Sequence, residues 1–437
     1  MSPLEIGIAG FAALTLLIFT GMHISTALLL VAFVGTALIR DDWELAGSML
    51  GQAATDAITE YEFGTVPLFV LMGLLAMVGG VGRDAYHVAH RLLHRVPGGL
   101  GHATVAGNAL FAAITGISVA SAALFTRLSV PEMLDRGWRP RLAVGIVAGS
   151  SMLGMLIPPS LLMIVYAVLT ETSVGDVYTA GIVPGLLLAA AFMVTIWLFA
   201  KLRPAWVGGG AEGAKDAGLR QASMARMLAP ILALIALVLG GMYAGLFTAT
   251  EAGAVGAFGA LLIALARRTL DMRTLWSLLI DTGYVTASLI LIIAAAAMFS
   301  RFLAVSGLPG ALGEWITSNG FTLGAVLSVY VGLLLLLGTA LDATSILLIM
   351  VPVFAPLFTT LGADLVWIGV ITVLAVEIGL VTPPLGMCAF VVKSTVDQMG
   401  RDVSLADIYI GALPFAASAL VVVVLIILFP GLALGLR

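Results

Sequence analysis

Gly154-Met155-Leu156-Ile157-Pro158-Pro159-Ser160 lies inside an apolar run from Leu142 to Val168 that is long enough to cross a bilayer. Adjacent prolines lack amide donors and restrict the residues before them, so a helix breaks here and leaves carbonyls without intrahelical partners. In hydrocarbon those carbonyls need another partner. The same device returns at Gly379-Leu380-Val381-Thr382-Pro383-Pro384-Leu385, where Gly379, Pro383 and Pro384 follow Gly154, Pro158 and Pro159 by 225 residues each. A broken apolar helix at matching places in two halves points to a midplane binding site of a secondary transporter.

Composition identifies the solvent. Of 437 residues 61% are apolar and only 10% charged, with a mean hydropathy of +1.14, so lipid surrounds most of the chain. Such a chain holds about ten to twelve spanning or re-entrant segments of roughly 20 residues. A single cysteine, Cys388, excludes an intrachain disulfide and a Cys-based metal site. The first residues lack a basic start and a small-residue cleavage site, and read as a retained membrane segment.

Residues 4–39 are too long for one upright crossing and read as two, turning near Gly21. His23 there is either a relay group or a histidine at a helix end. Residues 40–62 carry six acids and one arginine, a non-cytoplasmic loop. An apolar crossing from Gly64 to Gly80 leads into the basic Arg83, Arg91 and Arg95. Residues 99–130 have basic flanks on both sides, which predicts a re-entrant hairpin with its tip at Thr115-Gly116-Ile117-Ser118. The broken helix, 141–168, then crosses outward, and residues 178–200 return to Lys201 and Arg203.

The Gly-rich segment 201–226 is a cytoplasmic linker between a first repeat, 1–200, and a second, 227–437. In the second, Gly338 answers to Gly116, and Asp407, Tyr409, Gly411 and Pro414 answer to Asp176, Tyr178, Gly181 and Pro184. Following the crossings places the second hairpin, about 321–358, on the opposite face from the first, with its broken helix at 366–392. This arrangement puts 17 of the 20 basic residues on one side, leaving Arg40, Arg301 and Arg437 on the other. The expected fold is an all-α polytopic membrane protein with an inverted repeat, two re-entrant hairpins and two Pro-Pro-broken helices.

Opposed hairpins and broken helices offer half-helix N-termini to an anion and free carbonyls to a cation. The candidate site is Thr115, Gly116, Ser118, Ser121, Pro158, Pro159, Ser160, Gly338, Asp342, Thr344, Thr382, Pro383, Pro384 and Gly386, with Ser345 beside them. Oxygen ligands near Gly116, Ser118, Gly338, Asp342 and Thr382 suit Na+, a hard cation. Each has a plainer reading: hydroxyls bonding the preceding turn, Asp342 as a helix cap, Glu251 in a capping box with Thr248, Glu377 in helix packing. No P-loop sequence is present, no nucleophile and base pair can be assembled, and no cofactor or nucleic-acid partner is indicated; the chain reads as a non-enzyme.

Gly107-to-Phe111, Pro131-Glu132-Met133, Gly154-to-Ser160, Ala180-to-Gly185, Thr250-Glu251-Ala252, Gly338-to-Asp342 and Glu377-to-Gly386 occur in one order along nearly the whole chain. Together they resemble the large membrane (permease) subunit of TRAP, tripartite ATP-independent periplasmic, transporters. The resemblance implies sodium-driven uptake of organic acids across the bacterial inner (cytoplasmic) membrane. It also implies a periplasmic substrate-binding protein, a small membrane subunit and an elevator mechanism. Two positions depart from the family: Ile117 stands where a tip hydroxyl is usual, and Ala375 where an Asn is frequent. Rival readings are a stand-alone sodium-coupled carboxylate transporter and, remotely, a proton-pumping antiporter-like subunit. The latter needs mid-membrane Lys and Glu, and only Lys393 comes near.

Overall fold

The structure, a computed structural model, describes residues 1–59, 64–208 and 221–436. Lys215, Arg220 and Arg437, with Glu60 and Glu62 of the acidic loop, lie outside the described residues. The chain is an all-α, multi-pass membrane protein, with no strand among the described residues.

Helices α1 (Pro3–Phe19) and α2 (Ile24–Arg40) divide the first apolar stretch at the expected turn near Gly21. Ser2 and Glu5 close a capping box on α1, and His23 stands at the N-cap of α2 with Nδ1 2.7 Å from the Ser25 hydroxyl. The acidic stretch read as a loop is helical, α3 (Trp43–Thr59). Ala46, Ala53 and Ala57 bury one face of it while the acids stay outward, so small residues at helical spacing override the polar composition.

Next come α4 (Thr65–Val78) and α5 (Val81–Leu93), bent by 62° at Gly79-Gly80. The first hairpin is α6 (Gly99–Thr115) and α7 (Ser118–Asp135). The first broken helix is α8 (Pro140–Ser151), α9 (Leu153–Leu156) and α10 (Leu161–Leu169), with a 44° bend, and α11 (Val174–Leu202) follows.

After the linker, α12 (Gln221–Ile235) runs through a π-turn, Ala236–Gly240, into α13 (Gly241–Tyr243), and α14 (Ala249–Ala266) starts from a Thr248/Glu251 capping box. The long α15 (Met272–Ser306) and α16 (Leu308–Ser318) lead to the second hairpin, α17 (Leu323–Gly338) and α18 (Ala343–Thr360). The second broken helix is α19 (Leu365–Gly379) and α20 (Met387–Gln398), then α21 (Leu405–Leu428) and the terminal turn α22 (Gly431–Leu434). Six of the described helices are long and apolar enough to span a membrane, or eight spans if each bent pair counts as one.

The main core joins both hairpins and both broken helices, while α1, α2, α3 and α15 share a second apolar cluster that touches α18. Ion pairs gather chain ends that the sequence assigns to one side: Arg267 to Asp84 at 2.5 Å, Arg401 to Asp135 at 2.8 Å and Arg141 to Asp407 at 2.7 Å. Arg301, assigned to the other side, pairs with Asp56 of the acidic stretch at 2.5 Å.

Candidate functional site

At the first hairpin α6 ends on Gly116 with φ +64°, a conformation that favours glycine. A Cβ at this position would lie 2.5 Å from the Pro159 carbonyl oxygen, so the tip rests directly on the first Pro-Pro break. The Leu161 amide donates to the Gly116 carbonyl at 3.3 Å. Gly154 completes the contact, since a Cβ there would fall 2.7 Å from the Ser118 Cα. Pro159 removes the donor that the Met155 carbonyl would have used. The Ser160 hydroxyl replaces it by donating to Met155 O, and also accepts from the Met163 amide at 3.2 Å to cap α10.

The second hairpin repeats the arrangement with different atoms. Gly338 lies against Gly379, where a Cβ on either residue would come within 2.7 Å of the other's Cα. The Thr339 carbonyl accepts from the Leu385 and Gly386 amides at 3.0 and 3.2 Å. Gly386, at φ +50°, starts α20. Asp342 caps α18, its carboxylate accepting from the Ser345 amide at 3.1 Å and from the Ser345 hydroxyl. Both Pro-Pro peptide bonds, 158–159 and 383–384, are cis.

Each break is held by the tyrosine of the following helix. Ser173 and Ser404 cap α11 and α21, which places Tyr178 and Tyr409 one turn in. The Tyr178 hydroxyl lies 3.4 Å from the Ser160 carbonyl. The Tyr409 hydroxyl lies 2.9 and 2.6 Å from the Pro384 and Leu385 carbonyls. The repeated Asp-x-Tyr was visible in the sequence, but its use as a carbonyl clamp was not.

The candidates therefore fall into two sets: Gly116 packs on Pro159 and Ser160 and Ser118 on Gly154 at the first break, while Gly338 and Asp342 share a cavity with Leu385 and Gly386 at the second. Thr115 and Thr382 spend their hydroxyls on the preceding turn, donating to Phe111 O at 3.0 Å and Ile378 O at 2.7 Å. Thr344 is half-buried, and Ser121 is fully buried with no hydrogen-bond partner for its hydroxyl.

What joins the sets is the end of α19. Glu377, wholly buried, accepts a 2.7 Å hydrogen bond from the Ser118 hydroxyl of the first tip. Two residues later Gly379 meets Gly338 of the second tip. Since two residues of helix rise only about 3 Å, both tips reach one depth. The sequence leaves Glu377 open between the site and helix packing, and its contact with Ser118, 259 positions away, carries no local signal.

The sets differ in exposure. Pro158, Pro159 and Ser160 are buried, whereas Pro383, Pro384 and Leu385 are exposed. Beside the second tip lies a cavity of about 260 Å³ lined by Gly338, Thr339, Asp342, Leu385, Gly386 and Phe390. A larger cavity, about 560 Å³, opens between Arg301, Asp56, Glu171 and Pro352, away from both tips. The tips present oxygen donors and backbone amides. Among the described residues no three His, Cys, Asp or Glu side chains cluster as a metal site.

A sequence model of the family described as tripartite ATP-independent periplasmic transporter, DctM component, matches residues 11–432. The chain is 34% identical to the C4-dicarboxylate TRAP transporter large permease protein DctM of Pseudomonas aeruginosa, covering 86% of each. It is 33% identical to the protein of the same name from Rhodobacter capsulatus, covering 98% of this chain and 97% of that one. Among solved structures the YdaH transporter of Alcanivorax borkumensis shares the fold, with a TM-score of 0.59 at 17% identity over 87% of this chain and 89% of that one. With the family matched over nearly its whole length, this chain belongs to the DctM component of the tripartite ATP-independent periplasmic transporters, as a large permease subunit and not an enzyme.

Proposed function

We propose that this permease carries organic acids inward across the bacterial inner membrane, driven by sodium, and works with a small membrane subunit and a periplasmic substrate-binding protein. The observation that carries the reading is the meeting of both hairpin tips with both Pro-Pro breaks around the end of α19. Tips that contact the middle of a broken helix, and not its ends, suit re-entrant hairpins buried in protein. Their amides and half-helix N-termini favour a carboxylate, and their carbonyls and hydroxyls a sodium ion. Asp342 lines the open cavity at the second tip, where a hydrated ion and an acid have access.

The mechanism that fits is an elevator. The core of hairpins and broken helices would travel against the cluster of α1, α2, α3 and α15. Moving one positive charge inward yields roughly 2.3 kcal/mol per 100 mV. Two sodium ions would only neutralise a dicarboxylate, so harvesting the potential takes a third ion or a monocarboxylate.

The test is uptake of radiolabelled organic acids into proteoliposomes containing this chain and its small subunit, with and without a sodium gradient and the binding protein. Uptake that needs both is the expected result. Sodium-driven uptake without the binding protein would instead indicate a stand-alone carboxylate transporter, and uptake indifferent to sodium would overturn the coupling.

A further inference from the structure

The turn from α5 to α6, the end of α7 and the end of α11 enclose a cavity of about 320 Å³ that shares no lining residue with either hairpin tip. His90, His94, Arg95, Arg136, Trp138 and Gly99 are in its wall. Here α6 starts from Gly98, at φ +81°, with no side chain capping its first amides. The framing segments 87–100, 136–141 and 196–208 carry seven Lys and Arg, three His and no acid. Glu132, one turn before Arg136, holds that arginine at 2.8 Å and lies 3.6 Å from His90. Arg95 forms no ion pair among the described residues. Two arginines against one carboxylate leave one positive charge around a space of ligand size.

Aromatic neighbours mark the depth of the cavity. Arg139 and Arg203 both lie over the Trp206 ring, at 4.9 and 5.0 Å, Trp206 stacks on Phe199, and Lys201 covers Trp197. Tryptophan mixed with Lys and Arg belongs at a membrane–water interface, and the basic count assigns this end to the cytoplasmic side. Leu92 on α5 and Leu198 and Leu202 on α11 are exposed close by in the chain, apolar surface beside the charge.

We propose that this cavity binds the phosphodiester headgroup of an anionic phospholipid of the cytoplasmic leaflet. A phosphodiester carries one negative charge, which matches the one positive charge left over, and a guanidinium fork suits its two free oxygens. A zwitterionic headgroup brings its own cation into a wall that is already basic. Inorganic phosphate offers the same oxygens but has no chains for the neighbouring apolar surface. The bound headgroup ties the α5–α6 turn, α7 and α11 to the leaflet at the base of the first hairpin, and the site stands independently of sodium coupling.

The test titrates the delipidated full-length chain in detergent with dioleoylphosphatidylglycerol or dioleoylphosphatidylcholine and counts bound lipid by native mass spectrometry. Phosphatidylglycerol should be retained in preference; equal retention of the two overturns the proposal. Arg95→Gln, at an exposed position, should weaken phosphatidylglycerol binding by about fivefold, the effect of one basic side chain near a membrane surface. Arg83→Gln, exposed on α5 but outside the cavity, should leave it unchanged; equal losses in the two variants would mean diffuse surface charge and no site. If Arg95→Gln fails to accumulate, Arg136→Gln carries the test, with a loss at least as large because Glu132 is then unpaired, and unchanged binding overturns the proposal. Inorganic phosphate replacing KCl at constant ionic strength should not displace the lipid. Displacement would make free phosphate the ligand and overturn the lipid assignment.

Discussion

Gly338 and Gly379 meet back to back, so close that a Cβ added to either would lie 2.6 to 2.7 Å from the other's Cα. There is no side chain in this contact to yield, only backbone. Gly379→Ala should therefore push the second tip off α19, with a loss of about 1–3 kcal/mol typical of overpacking. Uptake in proteoliposomes is expected to fall by more than tenfold. Gly320→Ala, at a turn with nothing within 4 Å, serves as a surface comparison and loses only the strain of its positive φ.

Tyr409→Phe removes the hydroxyl clamped on the Pro384 and Leu385 carbonyls. A net loss of about 1 kcal/mol is expected from such a bond. The break is exposed and lies outside the packed core, so transport suffers more than the unfolding midpoint. Tyr178→Phe gives up a longer contact of 3.4 Å at the buried break and should do less to uptake.

Asp342 separates two roles by one substitution. Asn caps a helix as well as Asp does, so Asp342→Asn should keep the start of α18 and leave the unfolding midpoint within about 0.5 kcal/mol of wild type. If the carboxylate also serves the cavity it lines, sodium-dependent uptake falls severalfold in the same variant. Full uptake would reduce Asp342 to a cap.

Arg267 holds Asp84 at 2.5 Å and also donates to the Gly79 carbonyl at 2.8 Å, across the bend between α4 and α5. Arg267→Met leaves Asp84, 13% exposed, without its partner. The expected cost is about 2 kcal/mol, below the figure for a fully buried pair because the Arg267 side chain is 26% exposed. Adding Asp84→Asn should recover much of it in a double-mutant cycle read by thermal unfolding.

The breaks, the hairpin tips and their recurrence were legible because proline and glycine act locally: Pro158 and Pro159 forbid a helix whatever surrounds them, and Gly116 marks the turn between two apolar runs. The capping box of Thr248 and Glu251 was legible for the same reason. The helix α3 was not, because its composition is polar and only the spacing of Ala46, Ala53 and Ala57 reveals the buried face. Nor was the bond from Ser118 to Glu377, since which two tips share a helix end is decided by packing between halves. The difference in exposure between Pro159 and Pro384 is likewise invisible in two nearly identical motifs.

Cys388 is the chain's one cysteine and is fully buried, three residues beyond the exposed Leu385. Thiol reagents that do not cross lipid therefore meet a naturally silent background. A cysteine introduced at Leu385, which is 50% exposed, becomes the single address such a reagent can read. Its rate of modification from either face of the membrane would report, in real time and without any deletion of native residues, which compartment the second tip is facing.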